Sequence, residues 1–347
     1  MSHLTYLEAG VVGLIQGVTE LFPVSSLGHN VLIPALVGGS WATDLNVARP
    51  ESPYLAFIVG MHVATAIALL IYFWRDWIRI IGGFFTSLAH WQGWHPRVAT
   101  RDETLAWMII LATIPVGLVG LVAEHTFRVL FGKPILAAVF LIVNGLILFC
   151  GERFRPRASR QADRVVAAQR EEAMTVTQPD PVPVAGQPGG AVHGATGTAT
   201  GHQAVRSEEI SLGLASDERL ARMGFGEALI IGLSQILALL AGISRDGVTM
   251  VTGMARGLSR EDAARFAFLL ATPVILAAGA LKVPDLLGPL GNGIRGQILL
   301  GSILSGLGAY VSVRFLVRYF QTRTLYPFAI YCFVFGLLSV IYLGVIK

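Results

Sequence analysis

Charge is scarce in this chain. Only 14% of its 347 residues are Asp, Glu, Lys or Arg, where about 25% is usual for a soluble globular protein. Of the 48 charged residues, 18 lie between Glu152 and Arg222, so the flanks are poorer still. That distribution excludes a soluble globular domain. Cysteine is almost absent. Cys150 and Cys332 each sit in an apolar run, which excludes a disulfide framework and marks them as small buried hydrophobes. The opening "MSHLTYLEAG" lacks a basic n-region, so no cleaved signal peptide is expected. No basic patch is interleaved with aromatics. The net charge of +4 and the pI near 9.3 therefore point to loop arginines and to no nucleic-acid partner.

Apolar residues make up 54% of the chain and its mean hydropathy is +0.64. The expected fold class is an all-α polytopic membrane protein. A span needs about 20 mostly apolar residues. Six stretches meet that length: Pro53–Trp74, Thr104–Glu124, Pro134–Gly151, Ala263–Val283, Gly296–Val317 and Leu325–Ile346. Two more apolar regions are interrupted. Tyr6–Val37 is broken by Pro23, Ser25, Ser26 and Gly28, and Gly226–Gly257 by "AGISRDG". Between the halves, Glu152–Arg222 is rich in Pro, Gly, Ala and Thr and reads as a mostly disordered cytoplasmic loop whose flanks carry short helical or headgroup-contacting pieces. His193 and His202 within it read as solvated loop residues, and "HWQGWH" (His90–His95) as an aromatic belt.

The interrupted regions are copies. A shift of 219 residues aligns Glu8–Gly28 with Glu227–Gly247 without a gap, and eight of the 21 positions are identical. Three spans follow each copy. A hairpin that enters and leaves by one side, followed by three spans, inverts the second copy. That predicts an inverted repeat with two re-entrant hairpins: residues 1–151, a joining loop 152–222, and residues 223–347. Arg75, Arg79, Arg97, Arg101, Arg153, Arg155, Arg157, Arg160, Arg318 and Arg323 fall on one side, which should be cytoplasmic, with both termini outside. The hairpin tips should then meet.

Ionised groups at membrane depth cost about 2.5–3.5 kcal/mol each on insertion scales, so Glu20, Arg245 and Asp246 need one another or a ligand. A bland reading makes them a buried ion-pair cluster that glues the tips together. The assortment favours more. Half-helix starts offer free N–H groups and a positive dipole end to phosphate. Arg245 adds a planar fork, and Ser25, Ser26 and Ser244 add hydroxyls, one of which can attack phosphorus. His29, one turn beyond Ser26, is placed to act as its acid or base. Glu20 and Gln16, four apart on one helix face, offer oxygens to a hard cation such as Mg²⁺. His62, inside a span, reads as a packing or cavity-lining residue.

These stretches resemble a known family. "QGVTE" followed by "FPVSSLGH" resembles the E/Q-x-x-x-E motif and serine–histidine stretch of the undecaprenyl-diphosphate phosphatases. "AGISRDGVT" resembles their P-G-x-S-R-S-x-x-T motif, and "ARFAFLLATPVI" its continuation. The resemblance covers both halves but not the central loop. It implies a multi-pass protein of the bacterial plasma membrane that hydrolyses a polyprenyl diphosphate lipid to its monophosphate with Mg²⁺ or Ca²⁺, recycling the carrier for cell-wall synthesis. Carried over, Glu20 and Gln16 serve metal and diphosphate, Ser26 is the nucleophile and His29 its partner. Arg245, Ser244, Gly247 and Thr249 clamp phosphate. Ala241 stands where the family has proline, and Asp246 where it has serine. A carboxylate beside phosphate requires an intervening cation or another arginine for Asp246 to turn toward. A carrier or flippase for an isoprenoid phosphate or small anion fits the same repeat and is separated by phosphate release. Oligomeric state is open, a homodimer included.

Overall fold

The computed structural model describes residues 4–45, 53–89, 98–131, 133–176, 211–288 and 293–346, and those residues are helical with short connections. The first half contains α1 (Tyr6–Leu21), α2 (Ser26–Val37), a short α3 (Gly39–Asp44), α4 (Pro53–Tyr72), α5 (Trp74–Ala89), α6 (Arg101–Phe131) and α7 (Pro134–Arg153). After α8 (Arg157–Val176) and α9 (Ser211–Ala221), the second half runs through α10 (Phe225–Ser234) and a 3₁₀ turn (Gln235–Leu239). It continues with α11 (Arg245–Ala255), α12 (Arg260–Leu287), α13 (Arg295–Thr322) and α14 (Tyr326–Ile341). Among the described residues, five helices are long and apolar enough to cross a membrane, or up to seven if each of two bent pairs is one span.

Each copy of the repeat starts its first helix with the same device. Thr5 caps α1, its hydroxyl accepting from the Glu8 N–H while the Glu8 carboxylate accepts from the Thr5 N–H. At α10 the Glu227 carboxylate accepts from the Gly224 N–H. Glu8 and Glu227 occupy the same repeat position, so that shared glutamate builds a helix start rather than a site. Packing repeats as well. α1 lies along α13, α10 lies along α6, and α7 pairs with α14. A Cβ on Gly13 would come within 2.4 Å of the Gly301 carbonyl, and one on Gly232 within 2.4 Å of the Ala112 carbonyl. Lipid tails give helices no hydrophobic reason to associate, so such close backbone contact supplies the attraction.

The hairpin tips meet, as the parity of spans requires. α1 stops before Pro23, which cannot extend a helix. α10 tightens into the 3₁₀ turn and then breaks at Gly242, whose φ of +112° suits only glycine. The Gly242 N–H donates to the Ser25 hydroxyl at 3.2 Å, and a Cβ on Gly28 would lie 2.9 Å from the Gly242 Cα.

One departure concerns the polar regions. α4 turns by 87° into α5, a half-apolar helix with no counterpart among the described residues of the second copy. The ends of Glu152–Arg222 carry the expected helical pieces, α9 short and α8 longer than expected, while residues 177–210 lie outside the described residues. Charge pairs hold these helices in place. Arg170 meets Glu261 at 2.6 Å, Arg219 meets Asp262 at 2.8 Å, and buried Asp217 accepts from Arg79 and Arg265, both at 2.8 Å. Ion pairs to the first turns of α12 and to α5 dock them, with Leu220 of α9 and Val166 of α8 buried beside these pairs. "HWQGWH" lies largely outside the described residues.

Candidate active site

Ser26 and Arg245 occupy the same place in the two copies, since 219 residues separate them. Each is the first residue of a half-helix, Ser26 of α2 and Arg245 of α11. The preceding serines cap those helices: the Ser25 hydroxyl accepts from the Gly28 N–H at 3.3 Å, and the Ser244 hydroxyl from the Gly247 N–H at 3.1 Å. The repeat thus aims a hydroxyl and a guanidinium at one point from opposite sides. Ser25 has a φ of +68°, the one positive value outside glycine among the described residues, a strained turn that sets the direction of Ser26.

Glu20 is the hub. Its Oε2 accepts from the Ser26 hydroxyl at 2.5 Å and from the Gln16 amide at 2.8 Å, and its Oε1 accepts from Arg245 Nη2 at 3.1 Å. Arg245 Nε donates to Asp246 Oδ1 at 3.3 Å, so Asp246 turns toward the arginine beside it and holds one edge of the guanidinium. The second oxygen of Asp246 is buried without a partner. With Nε and Nη2 committed, Nη1 remains for a phosphate oxygen. The Thr249 hydroxyl donates back to the Arg245 carbonyl at 2.7 Å. Ser25 and Ser244 use their oxygens as acceptors and keep their hydroxyl hydrogens for a ligand.

His29 departs from its expected role as the acid or base for Ser26. Its Nδ1 donates to the Ser25 carbonyl at 2.7 Å, and its Nε2 accepts from the Tyr331 hydroxyl at 2.8 Å. Its ring lies parallel to Tyr331 and Phe335. The imidazole therefore faces α14 and braces the strained Ser25 turn. The carboxylate that reaches Ser26 is Glu20.

Gln16 also departs from its expected role as a metal ligand. Its Oε1 accepts from Asn30 Nδ2 at 2.5 Å and its amino group faces Glu20, so it presents a donor to the carboxylate rather than an oxygen to a cation. Glu20 is left as the single carboxylate there, with three hydrogen-bond donors on it, one of them cationic. No group of three or more His, Cys, Asp or Glu able to hold a metal occurs among the described residues. As arranged, Gln16 and Glu20 do not fit Mg²⁺ or Ca²⁺, which require several converging oxygens.

Three residues join the site unannounced by any motif. His62 on α4 was read as packing, yet its Nε2 lies 3.3 Å from Glu20 Oε2 and 3.2 Å from the Gln16 amide. Asn30 fixes Gln16. Asn144 on α7 ties the two tips together, donating to the Pro23 carbonyl and accepting from the Ser244 N–H, both at 3.0 Å. The available signal was polarity inside an apolar span, which at membrane depth marks function by default.

The family model described as "Bacitracin resistance protein BacA" matches residues 9–178 and 191–338. The undecaprenyl-diphosphatase 2 of Frankia alni is 54% identical, with 98% of each chain covered. The undecaprenyl-diphosphatase of Mycolicibacterium paratuberculosis is 54% identical over 99% of each. The undecaprenyl-diphosphatase 2 of Burkholderia lata is 37% identical over 94% of this chain and 92% of its own. With the family model spanning both repeats and relatives aligning nearly end to end, this multi-pass membrane protein belongs to the family of the bacitracin resistance protein BacA.

Proposed function

We propose that this protein hydrolyses undecaprenyl diphosphate to undecaprenyl phosphate and inorganic phosphate, and so returns the lipid carrier to cell-wall synthesis. One observation carries the reading: the Ser26 hydroxyl and the Arg245 guanidinium converge on Glu20 from opposite repeats. Names of relatives that align nearly end to end supply the substrate.

The terminal phosphoryl group binds between the two half-helix starts, its charge met by Arg245 and by the hydroxyl hydrogens of Ser25 and Ser244. Ser26 Oγ attacks the terminal phosphorus as Glu20 takes its proton. The bond from phosphorus to the bridging oxygen breaks, and the lipid monophosphate leaves with that oxygen. Glu20 then returns its proton to the departing phosphate and takes one from water, which attacks the phosphoserine. The bond from phosphorus to Ser26 Oγ breaks, Glu20 gives that oxygen the proton it took from water, and inorganic phosphate is released. Phosphoryl transfer depends mostly on positioning and charge neutralisation, which this constellation supplies without rearranging a helix.

The membrane assigned to this chemistry is the bacterial plasma membrane. The end that carries α8, α9 and the arginine pairs is assigned to the cytoplasm by the excess of positive residues there. Phosphate release by purified protein is the test, and a carrier without hydrolase chemistry would release none.

A further inference from the structure

His62 closes the set of polar contacts around Glu20. Its Nδ1 donates to the Ile58 carbonyl at 2.9 Å, and its Nε2 stands 3.3 Å from Glu20 Oε2. The Gln16 amide nitrogen lies 2.8 Å from the same carboxylate oxygen and 3.2 Å from His62 Nε2. The opposite end of that amide is held by Asn30, whose Nδ2 donates to Gln16 Oε1 at 2.5 Å. A flipped amide would set oxygen against carboxylate and nitrogen against the Asn30 donor, so the orientation is determined from both ends. His62 contributes from α4, a different helix from the one carrying Gln16 and Glu20.

Resting on the hydrolase reading, the geometry points to His62 as a positioning residue for the reaction. It holds the Glu20 carboxylate against Ser26, both directly at Oε2 and through the Gln16 amide that donates to the same oxygen. His62 touches neither Ser26 nor Arg245. Without its nitrogen, Glu20 Oε2 and the Gln16 amide both lose a polar neighbour. Carboxylate and amide are then free to turn, and the Ser26–Glu20 bond loses its alignment. A side chain that restores a polar group at that point restores the alignment, whether or not it is an imidazole.

The test compares His62→Phe, which keeps the ring but removes both nitrogens, with His62→Gln, whose carbonyl can accept the Gln16 N–H. Phosphate release from undecaprenyl diphosphate and thermal unfolding are measured on each. Loss of one hydrogen bond at the base predicts a kcat about tenfold lower for His62→Phe, with KM within about twofold of wild type. His62→Gln should recover most of that loss. In a Gln16→Ala background, His62→Phe should lower kcat by clearly less than the tenfold it costs alone, because two residues that hold one carboxylate oxygen do not add. A wild-type kcat in His62→Phe would overturn the proposal. So would a His62→Gln variant no better than His62→Phe, or a full additional loss in the Gln16→Ala background. Arg245→Ala in the same assay keeps the two readings apart. An active Arg245→Ala protein counts against the hydrolase site itself, whereas an inactive one beside a wild-type His62→Phe counts against His62 alone.

Discussion

Arg245 donates to Glu20 at 3.1 Å across the interface between two inverted repeats, although 225 residues separate them in the chain. Neither group is placed by its own copy alone. α1 carries the carboxylate in from one side, α11 begins with the guanidinium on the other, and the Ser25 and Ser244 caps fix both half-helix starts.

The pairing of Ser26 with Glu20 makes Ser26 the nucleophile and Glu20 its base. Ser26→Ala should lower kcat by at least about 10³-fold, as loss of a covalent nucleophile does. Glu20→Gln, which keeps the shape and removes the charge, should cost on the order of 10²–10⁴-fold. Phosphate release under saturating lipid reads both. A Ser26→Ala protein within tenfold of wild type would mean that water attacks directly and Ser26 only positions the substrate.

His29 faces the other way, and its variant should behave differently. His29→Ala removes the brace on Ser25 and leaves the Tyr331 hydroxyl without its acceptor, so about 1–3 kcal/mol of stability is at stake. Turnover at a temperature where the variant stays folded should fall less than about tenfold. This is well below the loss that removal of a general base brings. Thermal unfolding and kcat on the same preparation decide it. A loss of 10² or more with unchanged thermal stability would return His29 to the reaction.

Divalent cations should find no site in the lipid-free protein. Calorimetric titration of Ca²⁺ or Mg²⁺ into protein without lipid should give the same trace for wild type and Glu20→Gln. A saturable heat present only in wild type would show that Glu20 recruits a cation despite its three donors.

Asp217 offers a check on the docked polar helices. It is fully buried and accepts from both Arg79 and Arg265. Asp217→Ala removes one of the two carboxylates that Arg79 and Arg265 share, leaving Asp76, and should destabilise the protein by roughly 1–3 kcal/mol. The kcat of the folded fraction should stay near wild type, because the pair lies outside the constellation around Glu20.

Much of this was legible in the sequence, for physical reasons. Glu20 and Arg245 stand out because hydrocarbon makes unpaired charge costly, and the 219-residue repeat says that their hairpins face each other. Contacts set by the register between distant helices were not legible. A spacing of three put His29 one turn from Ser26, but the direction of α2 and the strained Ser25 turn point its ring at α14. His62, Asn30 and Asn144 are lone polar residues in apolar runs. No local pattern says which face of one span meets which face of another. Gln16 and Glu20 do share a face, as their spacing of four predicts, but only the fold shows that Asn30 takes the Gln16 carbonyl. Helical pieces at α8 and α9 were expected, but not where they dock, because that is set by charge pairs with distant helices.

The central claim is that the two repeats meet to cleave a diphosphate, and Arg245 tests it most directly. Inorganic phosphate released from undecaprenyl diphosphate is to be measured for purified wild type, Arg245→Ala and Arg245→Lys, with thermal unfolding as the control for folding. Wild type should turn over, and Arg245→Ala should fall to background, because a diphosphate whose charge is unmet cannot be held in a low-dielectric site. Arg245→Lys should recover little, since a point charge cannot hold Glu20, Asp246 and phosphate at once as the fork does. Near-wild-type release by folded Arg245→Ala would contradict the account.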